Sequence, residues 1–249
     1  MYKQLTSPEF KVTVNGLQIE SGFYVEYQSS DDDHANQCIL TPYGEAAEAM
    51  ENADLSELIV EMGCQDDYET MLEGTGFLIQ GTESILVKDP MIRLERTLIQ
   101  ETFLDCYPDE VLRYILIQCG VTEYRISEQH FERKEVFGIR SMNAVQAIKE
   151  MQRFWGIEAS FYFVDGVFYW GCEPEQNEIY ELDDNNILDL EQNGNIWTAE
   201  ILPIPWLHQG QYVLVTDSRF CGLARVKKCV IKSKSRGSVD MYIQFVEAE

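Results

Sequence analysis

Phe10, Val12 and Val14 alternate with Lys11 and Thr13, and after Asn15-Gly16 the residues Leu17 and Ile19 alternate with Gln18 and Glu20. Alternation with period two places one face of a strand on a core. Asn-Gly supplies both positive-φ positions of a two-residue type I′ turn, so the segment predicts an antiparallel hairpin. The pattern resumes after a break at Gly22 with Phe23, Val25 and Tyr27. A polar loop, SSDDDHAN at 29–36, separates it from a short strand, CILTP. ELIVEMG (57–63) and YETMLEG (68–74) read as two strands joined at CQDD. GFLIQG and SILVKD add further pieces, and GEAAEAMENAD (44–54) is either a short helix or an acidic loop. Many short strands at turn-marked intervals predict a barrel or sandwich.

The period changes in the middle of the chain. Pro108, Asp109 and Glu110 suit the first turn of a helix. Val111, Leu112, Ile115, Leu116 and Cys119 form one apolar stripe, and Gly120 is a C-terminal stop. A second helix is predicted from about Asn143 to Trp155, with Val145, Ile148, Met151 and Trp155 inward and Gly156 closing it. RISEQHFERKEVFGI between them reads as strand material. ASFYFVDGVFYWGC (159–172) reads as an aromatic hairpin around Asp165-Gly166, and residues 173–195 as an acidic loop region. The chain then returns to β: 196–204, 212–217, and a long hairpin over about 222–247 turning at Ser235-Arg236-Gly237. The expected fold class is α+β and predominantly β. The expected divisions are 1–88, an α/β portion 89–195, and 196–249.

Charge is strongly segregated along this chain of formal net charge -24. Between Lys11 and Lys88 there are 16 Asp and Glu and no Lys or Arg; between Arg153 and Arg219 there are 12 acids and no base. Residues 218–239 then hold seven Lys and Arg and no acid. Such a surface repels a polyanion over most of its extent. The basic stretch is read as a docking edge for an acidic protein surface, carried by Arg225, Lys227, Lys228, Lys232 and Lys234. Its alternatives are a solvated arm, in which lysines block edge pairing, and a nucleic-acid contact.

No motif marks a catalytic centre or a cofactor site. The seven cysteines form no CxxC pair and the three histidines are far apart, so they read as reduced apolar residues rather than zinc ligands. Asp31-Asp32-Asp33-His34 and Asp183-Asp184-Asn185-Asn186 lack the ligand spacing of a calcium loop and read as turns. There is no G-x-S-x-G, P-loop or G-x-G-x-x-G. Paired carboxylates are too common here to single out an acid/base pair. Phe161, Tyr162, Phe163, Phe168, Tyr169 and Trp170 read as sheet packing, with stacking on bases or sugars as the alternative. The chain has no apolar run of the ~18 residues a membrane span needs. Its opening MYKQLTSPEF has no signal core, so synthesis is expected in a cytoplasm.

Three segments resemble the phage tail baseplate hub family: the hubs of contractile tails, phage-tail-like bacteriocins and defective prophages, with late control proteins and the N-terminal part of the type VI spike more distant. FKVTVNGLQIESGFYVEYQSSDD followed by ELIVEMGCQDDYETMLEGTGF is similar to the paired strands of a tube-like domain. SILVKDPMIRL…PDEVLRYILIQCGV is similar to the strand and helix that end in a "G-[IV]" step. ILPIPWLHQGQYVLVTDSRFCGLARVKKCVIKSKSRGSVDMYIQFVE is similar to the closing unit, a proline-marked loop leading into paired strands.

The resemblance implies two tube-like antiparallel β-barrel or sandwich domains with an α/β portion between them. It implies a homotrimer whose pseudo-sixfold ring adapts a hexameric tail tube to a trimeric central spike, in the baseplate of a virion or phage-tail-like particle made in the bacterial cytoplasm. Partners would be the tail tube protein, the spike and other baseplate proteins. DNA would pass an acidic channel face in transit without being bound, and there would be no cofactor, metal, membrane anchor or enzymatic activity. Other readings are a cell-wall hydrolase of the tail tip, and a carbohydrate-binding or adaptor module.

Overall fold

Asn15 (φ 46°) and Gly16 (φ 80°) both take the left-handed conformation that the Asn-Gly pair favours. They join β1 (Glu9–Val14) to β2 (Leu17–Ile19), with Val14 opposite Leu17 and Val12 opposite Ile19. The structure, a computed structural model, describes residues 8–30, 34–64, 67–234 and 237–248. The Asp31-Asp32-Asp33 loop and the Ser235-Arg236 tip lie outside these residues. The chain separates into two compact units: Met1–Asp89 with Glu175–Glu249, and Pro90–Pro174.

The first unit continues with β3 (Phe23–Ser30), β4 (Gln37–Pro42), α1 (Glu45–Met50), β5 (Leu58–Cys64), β6 (Asp67–Leu78) and β7 (Ile85–Lys88). The open reading of 44–54 resolves to helix because Ala46 and Met50, four apart, bury one face of α1.

The second unit holds α2 (Met91–Arg96), β8 (Leu98–Cys106), α3 (Pro108–Gln118), β9 (Tyr124–Ile126), β10 (Lys134–Asn143), α4 (Ala144–Trp155), β11 (Phe161–Val164) and β12 (Val167–Trp170). Both long helices form where predicted. Pro108 opens α3, and the Glu110 carboxylate accepts from the Tyr107 amide at 2.9 Å. Asn143 Oδ1 caps α4 by accepting from the Gln146 amide at 2.9 Å. Gly120 and Gly156, both at φ 69°, follow the helix ends in the left-handed conformation. The inward face of α4 is Ala144, Ala147, Ile148, Met151 and Gln152, while Val145 and Trp155 are half-buried at its flank. Strand material between the helices is confined to β9 and β10; no strand covers 127–133. The short α2 carried no sequence signal beyond Pro90.

The first unit then resumes with β13 (Tyr180–Asp183), β14 (Ile187–Asn193), β15 (Ile196–Ile201), β16 (Tyr212–Thr216), β17 (Cys221–Ser233) and β18 (Val239–Glu247). β13 and β14 correct the loop reading of 173–195. Their buried residues are Leu182, Ile187 and Leu190. A register irregularity between Ile187 and Asp189 sets the last two three apart, so the period-two signal is lost.

Among the described residues this unit forms one 13-stranded sheet. The order β14-β15-β18-β17-β3-β4-β7-β6-β5-β1-β2 carries β16 beside β17 and β13 beside β16. β3 and β17 divide it into two halves. In each half the outermost strands, β2 with β3 and β13 with β14, are consecutive in sequence, so each half is turned back on itself. Leu40, Leu58, Val60, Ile231, Ile243 and Phe245 belong to one continuous core.

Gly74 shows how tightly the sheet is drawn together: a Cβ there would lie 2.0 Å from the Lys88 carbonyl oxygen. At Gly138 in β10 the nearest atom to an added Cβ is Thr102 Oγ1 at 3.9 Å, and its φ is ordinary. Gly74→Ala is therefore expected to lower stability by about 2–3 kcal/mol through forced backbone displacement. Gly138→Ala should be neutral or slightly stabilising. Urea denaturation midpoints of the two variants check this.

Candidate assembly surface

β17 is the strand that carries the predicted contact residues, and its geometry follows from a spacing in the sequence. Ala224 and Val226 are buried, and so are Cys229 and Ile231. Val226 and Cys229 are three positions apart, where strict alternation allows two. The structure absorbs the difference in a β-bulge: Val226 faces Phe245, Lys228 faces Gln244, and Lys227 is the extra residue. The bulge keeps both Lys227 and Lys228 off the core side, half-buried at the surface.

The bulge is also where β17 changes partner. Cys221–Arg225 pair with β16, Lys228–Lys232 pair with β3, and β18 runs beside both parts. The basic strand is thus hydrogen-bonded along both sides rather than presenting an open edge.

Several of its cations are met within the chain. Lys232 Nζ lies 2.5 Å from Glu26 Oε1 across the β3–β17 pair, with both side chains about half exposed. Lys234 Nζ lies 2.5 Å from Asp240 Oδ2, and this hydrogen bond raises the lysine pKa. Arg219, in the turn before β17, pairs with Asp217 at 3.0 Å and Asp189 at 3.5 Å and donates to the Leu190 carbonyl at 2.7 Å. Its hydrogen bonds hold the Asp217 carboxyl below the usual range. That contribution is present above the ordinary carboxylate pKa and is lost as acid takes the pH down through the lowered value. Arg225, Lys227 and Lys228 complete the surface; Arg225 sits opposite Tyr212 and Lys228 opposite Ser30.

Other sequence candidates resolve into structure. Asp183 Oδ1 accepts from the Asn185 amide at 2.9 Å, and Asn186 Oδ1 accepts from the Asp183 amide at 2.9 Å, so this run is the turn between β13 and β14. Among the described residues no group of three or more His, Cys, Asp or Glu is placed to hold a metal. Phe161, Tyr162, Phe163, Phe168 and Trp170 are buried, with Tyr169 half-buried, so the 161–170 rings are packing and not a stacking platform. All seven cysteines are free thiols; burial pushes those of Cys38 and Cys229 up, whereas Cys221 is exposed. Among the described residues no helix is long and apolar enough to cross a membrane.

Solved structures match this architecture over nearly its whole length. The 43 kDa tail protein of prophage MuSo2 from Shewanella oneidensis superposes with a TM-score of 0.72 at 9% identity, covering 97% of this chain and 98% of that one. The tail protein from Neisseria meningitidis MC58 gives 0.68 at 10% identity, covering 97% and 96%. The E. coli c3393 protein gives 0.67 at 10% identity, covering 96% and 77%. That protein is a type VI secretion component with structural similarity to the T4 tail proteins gp27 and gp5. The chain has the fold of phage tail proteins. No known sequence family matches it, and no curated protein matches it in sequence. At 9–10% identity these proteins share the backbone fold while about nine in ten of the aligned residues differ.

The bulge in this fold has a direct test. Removing Lys227 would restore strict alternation with Ala224, Val226, Cys229 and Ile231 still facing the core and Lys228 still opposite Gln244, so it takes away only the bulge and the extra twist it gives β17. The deletion is therefore expected to fold cooperatively with a midpoint several degrees below that of Lys227→Ala, which keeps the residue count and should unfold within a few degrees of the native protein. Thermal unfolding by circular dichroism distinguishes the two outcomes.

Proposed function

We propose that the chain is a structural protein of a phage tail or phage-tail-like particle, the baseplate hub that adapts a hexameric tube to a trimeric spike. The observation that carries this reading is the end-to-end match to tail proteins, with 97% of this chain and 98% of the MuSo2 protein superposed. The halves that meet at β3 and β17 suit the role. Two tube-like domains, expected from the sequence as 1–88 and 196–249 with an α/β portion 89–195 between them and drawing β13 and β14 of that portion into the second, give a trimer six β-modules around a ring. Partners in this reading are the tail tube protein, the central spike and other baseplate proteins. The base-free blocks would face passing DNA without retaining it. The role requires no catalytic centre, cofactor or membrane anchor.

Arg225, Lys227, Lys228, Lys232 and Lys234 are proposed as contacts to an acidic face of a neighbouring subunit or partner. Lys232 and Lys234 have acidic partners, Glu26 and Asp240, in their own chain, so a docking contact by either replaces one of these pairs. Exposed pairs contribute only ~0–1 kcal/mol each, so apolar strand-face contacts supply most of the affinity. A chain of formal charge -24 also repels its own copies at low salt.

The purified protein, alone or with tube and spike proteins, is expected to sediment as a trimer. Lys227→Glu with Lys228→Glu should weaken assembly and flatten its salt dependence while the monomer stays folded. Unchanged affinity and salt dependence would remove the docking role of this strand. A protein that stays monomeric with tube and spike present would remove the hub reading, and hydrolysis of peptidoglycan by the isolated chain would contradict a purely structural role.

A further inference from the structure

Two strand edges in the first unit point their backbone groups into the same cavity. The β1–β2 hairpin turns over two residues, so Val14 and Val12 bond across to Leu17 and Ile19. By the same parity the N–H and C=O of Phe10 point toward the β2 side. β2 ends at Ile19, before it reaches Phe10. The odd residues of β3 point toward β17, as the bond from the Val25 amide to Ser233 Oγ at 2.7 Å shows. The β3–β17 ladder ends at Glu26 and Lys232, so Phe23 points its N–H and C=O past that end. On these sides neither Phe10 nor Phe23 has a backbone partner among the described residues. Both side chains are buried in the core, which fixes the two edges in place.

The space between them is a cavity of about 570 Å³ lined by Phe10, Phe23, Glu9, Glu20, Tyr24 and Tyr43, among others. That volume is within the ~300–1,000 Å³ range of ligand clefts. Gly22 forms its corner: φ is 96°, and an added Cβ would meet Ala46 Cβ at 2.7 Å. Tyr24 and Tyr43 stand at its rim with ring centroids 4.8 Å apart, both substantially exposed. Among the described lining residues two are acidic and one is basic. Lys234 also lines the cavity but is held by Asp240. Glu9 accepts a hydrogen bond from Tyr68, and neither Glu9 nor Glu20 forms an ion pair among the described residues.

We propose that this cavity is a strand-addition slot for an extended basic segment of a partner protein. Unpaired strand edges are templates for a further strand. A strand added here finds a backbone edge on each side, aromatic rings for its apolar residues, and the carboxylates of Glu9 and Glu20 for a lysine or arginine. The inference does not depend on the hub reading.

The probe is a fluorescently labelled peptide, Val-Lys-Val-Lys-Thr-Val, with Val-Glu-Val-Glu-Thr-Val as its counterpart. The full-length protein is expected to bind the basic peptide at least tenfold more tightly by anisotropy. Binding should slow amide exchange, read by mass spectrometry, at least fivefold in the segments containing Phe10 and Phe23. Glu20→Lys, on an exposed turn position, should raise the Kd at least tenfold with an unchanged melting temperature. Equal binding of the two peptides, or binding without protection of both segments, would overturn the proposal. So would slow exchange of both segments in the free protein, which would mean that the chain itself or a second copy already fills the slot.

Discussion

The antiparallel ladder between β3 and β17 is the interaction on which the rest of the first unit depends. It brings Tyr27 opposite Ile231 and ties Val25 to Ser233, 208 positions away. Without it the strands before Asp89 and those after Glu175 would form two separate sheets, each with an open edge of unpaired backbone groups. The ladder is short, Ser30–Glu26 against Lys228–Lys232, because β17 must serve β16 with its first residues. The bulge at Lys227 lies at that change of partner. It absorbs the extra residue there, so that Ala224, Val226, Cys229 and Ile231 all still reach one core.

This junction also decides what the basic stretch can do. In sequence, residues 218–239 are a block of cations without a counter-ion. In the folded chain, β17 lies between acidic neighbours, and Glu26, Asp240, Asp217 and Asp189 meet Lys232, Lys234 and Arg219. The Lys232–Glu26 and Arg219–Asp189 pairs, about half exposed on both sides, hold little energy and exchange partners readily. The surface is therefore closer to a balanced mosaic than to a positive patch. A balanced mosaic fits protein docking, which selects complementary partners, and fits nucleic acid poorly.

Where the β3–β17 ladder ends, it leaves the opening between β1 and β3. The edges there are rigid because Phe10 and Phe23 are anchored in the core, and the opening is acidic because Lys234 is already engaged by Asp240. The same strand thus both joins the two halves and, by stopping at Lys232, exposes a place where another strand can add.

The sequence by itself determined the local elements: the Asn15-Gly16 hairpin, the Asp165-Gly166 hairpin, both long helices with their caps, and the inward faces of β1, β3 and β18, though Leu17 of β2 is exposed. Each of these is fixed by φ preferences and burial period within a dozen residues, and together with element order they were enough to point to a tail-protein fold. The strands β13 and β14 were not legible, since a register shift and a dense set of acids erase the alternation. The bulge was half legible, in the spacing of Val226 and Cys229. Only the tertiary structure decided that β17 pairs with β3, which cations are neutralised, and which edges are left open. The physical reason is that alternation specifies which face of a strand is buried, while its edges carry the same N–H and C=O groups in every strand. Which edge meets which is chosen by how the loops close and how the shared core fills, and no local pattern encodes that choice.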